Sequence, residues 1–419
     1  MLYEKNKEKE LPLALFENPT SEYRGAPFWA WNCALTEKLL DEQIDFLKEM
    51  GFGGFHMHPR TGFATPYLSG EHMGLVRFCV DKAKHEEMYA YLYDEDRWPS
   101  GAAGGLVTKD PQYRQKFLSF MPAQSRLSDG EKLLACYDVE LDGEGCLKHY
   151  KRIEADQEAV GTKWCACLKA AEPSPWYNNQ TYVDTLSKKA IDRFIEVTYE
   201  TYRDSISSDF GRTVPSIFTD EPQFSRKSTL DYPEEKKEIV LPWTDDLAET
   251  FQEFYGEDLM EHLPQLFWEL PKGRVSTIRY HYHDHVTERF TEAFADNCGK
   301  WCVENGLMLT GHMLEEPTLS SQTANIGEAM RAYRSFQLPG IDMLCNWFEY
   351  TTAKQAQSAA HQYGREGVLS ELYGVTGWAF DFRGHKIQGD WQAASLLGCN
   401  GRRGQTRLSG VNRSSVAMV

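Results

Sequence analysis

Seven short apolar runs recur along this chain, at 27–32, 52–57, 89–94, 214–219, 307–312, 340–344 and 367–371, and most are separated by stretches of helical period. After the first run, Thr36 is placed to cap "EKLLDEQIDFLKEM", with Leu40, Ile44 and Leu47 on one face and Gly51 as the stop. A strand–helix–strand rhythm in steps of about 35 residues predicts a parallel sheet with helical crossovers. Seven such strands predict an α/β fold, a β/α barrel of TIM type lacking its last strand. The rival is a doubly wound sheet. Its phosphate loop would follow the first strand, yet "FWAWNCALT" contains no glycine.

The rhythm breaks over 112–175, where apolar and polar residues alternate around turns such as "LDGEG" (141–145). The expected organisation is therefore 1–111 for the first three β/α units, 112–175 for an inserted antiparallel β-rich subdomain, and 176–394 for the remaining barrel units. Residues 395–419 are expected to form an irregular tail, truncated or frame-shifted. They hold arginines at 402, 403, 407 and 413, and no run able to bury both faces as an eighth parallel strand must.

Hydrophobic residues at 41% and charged residues at 26% describe an ordinary globular chain. No stretch of about 18 apolar residues exists to span a membrane. The N-terminal "MLYEKNKEKELPL" is charged where a signal peptide would be apolar, so a cytoplasmic location is expected. The net charge of −17 opposes nucleic acid and anionic membranes and is compatible with a neutral ligand such as a sugar. The ten cysteines are scattered, and reduced, mostly buried thiols are expected rather than zinc sites or disulfides. Oligomeric state is not legible.

In a β/α barrel the site forms where strands end at the carboxyl face. Here those ends carry Trp31 and Asn32; His56, His58 and Arg60; Asp94, Glu95, Asp96 and Arg97 with Trp98; Asp220 and Glu221; His312, Glu315 and Glu316; Asp342 and Asn346; and Glu371 with Tyr373. Several carboxylates beside tryptophans suit carbohydrate chemistry. A glycosidase needs one carboxyl to protonate the leaving oxygen and another to activate water or attack carbon. Aromatic rings offer flat apolar faces to sugar C–H groups, so Trp31 and Trp98 are expected to line sugar subsites. Of His56 and His58, one is expected to face the ligand and the other to pack. In "DEDRW" (94–98) an internal Asp–Arg pair is expected in preference to a calcium loop, and "SGAAGG" (100–105) is expected to be a tight turn. "HYHDH" (281–285) lacks the glutamate of an HExxH motif and reads as a helix face, not a metal site.

"RGAPFWAWN", "GFGGFHMHPRTG", "DEDRWPSGAAGG", "TDEP" and "SAAHQYGREGVLSELYG" resemble, in this order, the catalytic barrel of glycoside hydrolase family 106, the α-L-rhamnosidases. The flanks of "TDEP" and "SELYG" depart from the commonest family forms. The resemblance covers 20–394 and implies an inverting glycoside hydrolase with Glu221 and Glu371 as its catalytic pair. From their place at the strand ends, Trp31, Asn32, His56, His58, Arg60, Asp94, Asp96, Trp98, Asp220, His312, Glu315, Asp342 and Tyr373 are expected to bind the sugar. Family members are longer than this chain and have been associated with calcium. The residues themselves require no cofactor and name no metal ligands. Two alternatives stay open: a retaining glycosidase of another specificity, and an inactive or carbohydrate-binding fragment of a longer glycosidase.

Overall fold

The computed structural model describes residues 10, 12–123, 130–344, 347–396 and 411–412. Its thirteen strands, in chain order, are β1 (Phe28–Trp31), β2 (Gly54–Pro59), β3 (Tyr89–Tyr93), β4 (Lys116–Pro122), β5 (Lys132–Leu141), β6 (Leu147–Ile153), β7 (Thr162–Ala170), β8 (Ser216–Asp220), β9 (Ile239–Pro242), β10 (Met308–His312), β11 (Leu338–Met343), β12 (Leu369–Leu372) and β13 (Val411–Asn412). All seven apolar runs are strands of one parallel, curled sheet, a half-barrel in the order β1-β2-β3-β8-β10-β11-β12. The tail departs from the expected irregularity in two places. Ser395 and Leu396 end the helix Phe382–Leu396, and the two residues of β13 pair in parallel with Glu371 and Leu372. Residues 397–410 and 413–419 lie outside the described part of the chain.

The sheet separates two apolar layers. Alternate residues must face opposite sides of a strand. Phe28, Tyr93, Phe218, Leu338 and Leu369 pack together on the inner, concave side. Their neighbours Trp29, Trp31, Phe55, Leu92 and Ile217 join the larger core under the helices. The helix Glu37–Glu49 shows why the crossovers form. Thr36 accepts the Leu39 N–H at 3.2 Å, and Leu40, Ile44 and Leu47 are its buried face. Gly51, at φ +90°, then lets the chain turn towards β2.

β4 to β7 form a separate antiparallel sheet, ordered β6-β5-β7-β4-β9. Its fifth strand, β9, comes from the loop after β8 and was not anticipated. Four residues with no alternating period carry too little signal. The sheet is tied to the rest of the molecule through rings: Phe120 stacks on Phe267 at 4.3 Å, and Trp164 meets Trp268 edge-on at 5.2 Å. Cys136 and Cys165 stand directly opposite on β5 and β7, with Cα atoms 4.2 Å apart, and form a disulfide. This corrects the expectation of thiols throughout. A CxC spacing hides a partner that only strand pairing brings near. Among the described residues no helix is long and apolar enough to cross a membrane.

Candidate functional site

The inner face changes character towards the carboxyl ends of the strands. Two residues beyond the apolar layer, Phe218 gives way to Asp220 and Leu369 to Glu371. Strand register sets the neighbours: Asp220 lies opposite His312, and Asp342 opposite Glu371. The three side chains of Asp220, His312 and Glu371 are fully buried. His312 Nε2 lies 2.9 Å from Glu371 Oε2 and 3.5 Å from Asp220 Oδ1. Tyr93 donates its hydroxyl to Asp220 Oδ2 at 2.6 Å. Polar groups so far from water need such hydrogen-bonding partners, and here each partner comes from a different strand.

Glu221 follows at once. It is half-buried and has a φ of +47°, in the left-handed region that L-residues enter at a cost. Its N–H donates to the His312 carbonyl at 3.2 Å, which holds this turn against β10. Glu316 is buried nearby, and Tyr333 donates to it at 3.3 Å. Burial pushes the Glu316 carboxyl well above its usual range, and the charges of Glu221, Asp342 and Glu349 add to the rise. Glu315 is partly exposed, 3.6 Å from Arg226. Of the two adjacent glutamates, Glu316 is the buried one, near enough to Glu221 and Asp342 to feel their charge.

"DEDRWPSGAAGG" folds around its own second carboxylate. Glu95 accepts backbone N–H groups from Asp96, Gly101, Ala102, Ala103 and Gly104. The tight turn is thus a nest of backbone N–H groups closed by an internal carboxyl. Burial pushes Glu95 up to about 8, and the donated bonds from Asp96 and Gly104 oppose that rise. Asp94 accepts from Ser100 at 2.5 Å and from Tyr199 at 2.8 Å. Burial pushes it up to about 7 against those bonds. Ser100 in turn accepts the Asp220 N–H at 2.8 Å. Asp96 pairs with Arg97 at 2.7 Å and accepts from Asn178. Both Asp94 and Asp96, expected as sugar contacts, are engaged within the protein and brace the loop.

Trp31 and the histidine pair lie otherwise than expected. Trp31 is fully buried on the helix side, against Trp29, Phe63 and His72, and cannot line a sugar subsite. His56 and His58 do not face opposite ways. Being two apart they share the inner face, and both meet the Phe28 ring, at 5.1 and 4.8 Å. His56 stacks on Tyr91, and burial pushes it down to about 3, so it is neutral. Asn32 is exposed and Arg60 half-buried beyond their strands. Tyr373, at φ +71°, packs against Phe380 and His385. Asn346 lies outside the described residues. In "HYHDH", His281 pairs with Glu257 at 2.8 Å and His285 with Thr250 at 3.0 Å. Sequence reading set Glu95 at the rim without its loop partners, and it missed Tyr93 and Ser100, whose partners Asp220 and Asp94 only the fold brings near.

One ligand atom each from Asp220, His312 and Glu371 falls within 4.8 Å of the others. Calcium takes about six to eight oxygen ligands. Two carboxylates and an imidazole do not fit that demand, and no step below runs through a metal.

No family model matches the chain, and no curated protein matches it by sequence. Solved structures do match. A rhamnosidase from Novosphingobium sp. PP1Y superposes with a TM-score of 0.63 over 96% of this chain and 56% of its own, at 15% identity. The chain thus spans about half of that protein's length. The catalytic domain of a beta-amylase from Paenibacillus polymyxa covers 93% of this chain and 92% of its own at 10% identity, with a TM-score of 0.47. At such identities the likeness is one of fold.

Proposed function

We propose that this chain is the catalytic half-barrel of an inverting glycoside hydrolase acting on α-L-rhamnosides or a closely related sugar, with Glu221 and Glu371 as its carboxyl pair. The observation that carries this reading is the placement of Glu371. It is a fully buried carboxylate fixed by His312, in a rim where Glu221, Asp220 and Asp342 converge from other strands. The likeness of fold to the rhamnosidase supports it.

The chemistry follows from two carboxyls on opposite sides of one bond. One gives its proton to the glycosidic oxygen as the C1–O bond breaks. The other takes a proton from water as that water attacks C1 from the opposite face. His312 and Tyr93 hold Glu371 and Asp220 in fixed orientations. Burial raises the Glu316 carboxyl and so favours its neutral form beside the rim.

Glu221→Gln and Glu371→Gln should each keep the fold and slow hydrolysis of p-nitrophenyl α-L-rhamnoside by about a thousandfold, within the 10² to 10⁴ that acid–base groups contribute. Either variant retaining more than a tenth of the rate removes that residue from the pair. Proton NMR of the first-formed sugar separates inversion from the retaining alternative. The second reading is a carbohydrate-binding protein without turnover, favoured by the full burial of the Glu371 side chain. Absence of turnover on a panel of nitrophenyl glycosides, together with retained glycan binding, would select it.

A further inference from the structure

A cavity of about 430 Å³ opens beside this rim, lined among others by Trp98, Trp176, Tyr182, Gln223, Phe224 and Arg226. It is built by three segments that sequence alone does not join: the loop after β3, the chain leaving the antiparallel sheet, and the loop after β8. We propose that this cavity is the subsite for the leaving side of the substrate, taking a neutral pyranose ring attached beyond the bond to be cut. The inference rests on the glycosidase reading above and extends it to a place that no catalytic side chain occupies.

Position comes first. Gln223 is two residues beyond Glu221, and its N–H approaches the Tyr182 hydroxyl at 3.4 Å. Tyr182 donates to the Ser100 carbonyl at 2.6 Å. The Ser100 hydroxyl accepts the Asp220 N–H. One residue therefore separates the cavity wall from the buried trio. In sheet order the cavity stands at β3 and β8, and Glu371 stands three strands away from β8, on β12. A sugar bound between Glu221 and Glu371 would direct its neighbour into this space.

Chemistry comes second. The volume falls within the roughly 300–1,000 Å³ of small-molecule sites, and aromatic walls with a few polar groups are their usual lining. Trp176 is 38% exposed yet fixed. Its indole N–H donates to the Trp98 carbonyl at 2.7 Å, and the Arg97 guanidinium stands 5.8 Å from its ring. A ring held in place while facing solvent loses little freedom on binding. Its face suits the C–H side of a pyranose, and Gln223 supplies polar groups for hydroxyls. Arg226 is already 3.6 Å from Glu315, Glu172 also lines the cavity, and the chain carries −17. These favour a neutral ring over a uronate.

The test uses the full chain. Glu371→Gln and Glu371→Gln/Trp176→Ala are applied to a printed array of neutral plant and bacterial oligosaccharides, with Trp176→Phe as the milder variant. The double variant should lose about tenfold in affinity, the scale of one lost ring contact, while Trp176→Phe keeps most of it. In active enzyme, Trp176→Ala should lower kcat/KM on an α-L-rhamnosyl disaccharide about tenfold more than on α-L-rhamnosyl fluoride, whose leaving group reaches no second subsite. Equal losses on both substrates, no loss on either, or array binding unchanged by the second substitution overturns the subsite. So does an absence of glycan binding by Glu371→Gln. Binding that depends on Trp176 in a chain that turns over no glycoside would instead leave the subsite standing and overturn the hydrolase reading.

Discussion

His312 meets two carboxylates from two other strands, and no part of it reaches solvent. Removing it would leave Asp220 and Glu371 buried with less compensation than their ionised forms need. Breaking one partner of a buried charged set costs about 3–5 kcal/mol, so His312→Ala should be strongly destabilised in urea titration as well as inactive. Tyr93→Phe is the cleaner probe. It keeps the ring, which lies 5.9 Å from Phe218, and removes only the hydroxyl bonded to Asp220. A hydrogen bond to a charged group is worth about 1.5–3 kcal/mol. A loss in that range is expected, and no loss would show that Asp220 does not depend on this donor. At this scale sequence reading found the right residue types but could not find their directions. It set both Glu315 and Glu316 at the rim, and only the fold shows that Glu316 is buried while Glu315 pairs with Arg226.

Elements are fixed by close approach as well as by period. Gly311 immediately precedes His312 on β10 at φ +123°, and a Cβ there would overlap the Thr219 carbonyl of β8. Gly311→Ala must therefore part the two strands that align Asp220 with His312. Loss of soluble protein, or a destabilisation of about 3 kcal/mol or more, is the expected outcome in thermal melts. Asp184 offers a test by pH. Buried where the chain enters the helix Lys188–Phe194, it accepts from Thr244 at 2.6 Å and from the Leu186 N–H at 3.2 Å. Burial pushes it up to about 7 from a usual 3.8. A raised folded-state pKa gives stability that is present below the unfolded value and lost as pH rises through the folded one. The Tm advantage of wild type over Asp184→Asn should therefore be greater at pH 4.5 than at pH 8. A difference that does not change with pH would refute the raised pKa. The seven parallel strands were legible because each buries both faces and so reads as an unbroken apolar run. β9 was not, since its pairing with β4 is set by the fold and not by local period.

For the whole molecule, one continuous apolar core joins the half-barrel to the antiparallel sheet: Phe120 and Trp164 belong to the same buried cluster as Leu92 and Ile217. Thermal unfolding should then be a single transition by circular dichroism and calorimetry. Trp164→Ala should lower that one midpoint, at a cost of about 3–5 kcal/mol. Two separated transitions would show that the sheets unfold independently. Reduction should lower the same midpoint, because Cys136 and Cys165 close a loop with a sequence separation of 29, worth about 3–4 kcal/mol in the chain-entropy account.

By itself the sequence determined the parallel architecture, the capped helix Glu37–Glu49 and the crowding of polar groups at the strand ends. These follow from local rules: period, caps and the need of a two-sided strand to be apolar throughout. Tertiary structure alone decided which of those groups meet. Trp29 and Trp31 went to the helix side because curvature put Phe28 inside. Glu95 was captured by backbone N–H groups of the following loop. Asp220, His312 and Glu371 came together only because β8, β10, β11 and β12 are neighbours in the sheet. Contact across strands depends on register and curvature, and these are set by packing between residues far apart in the chain.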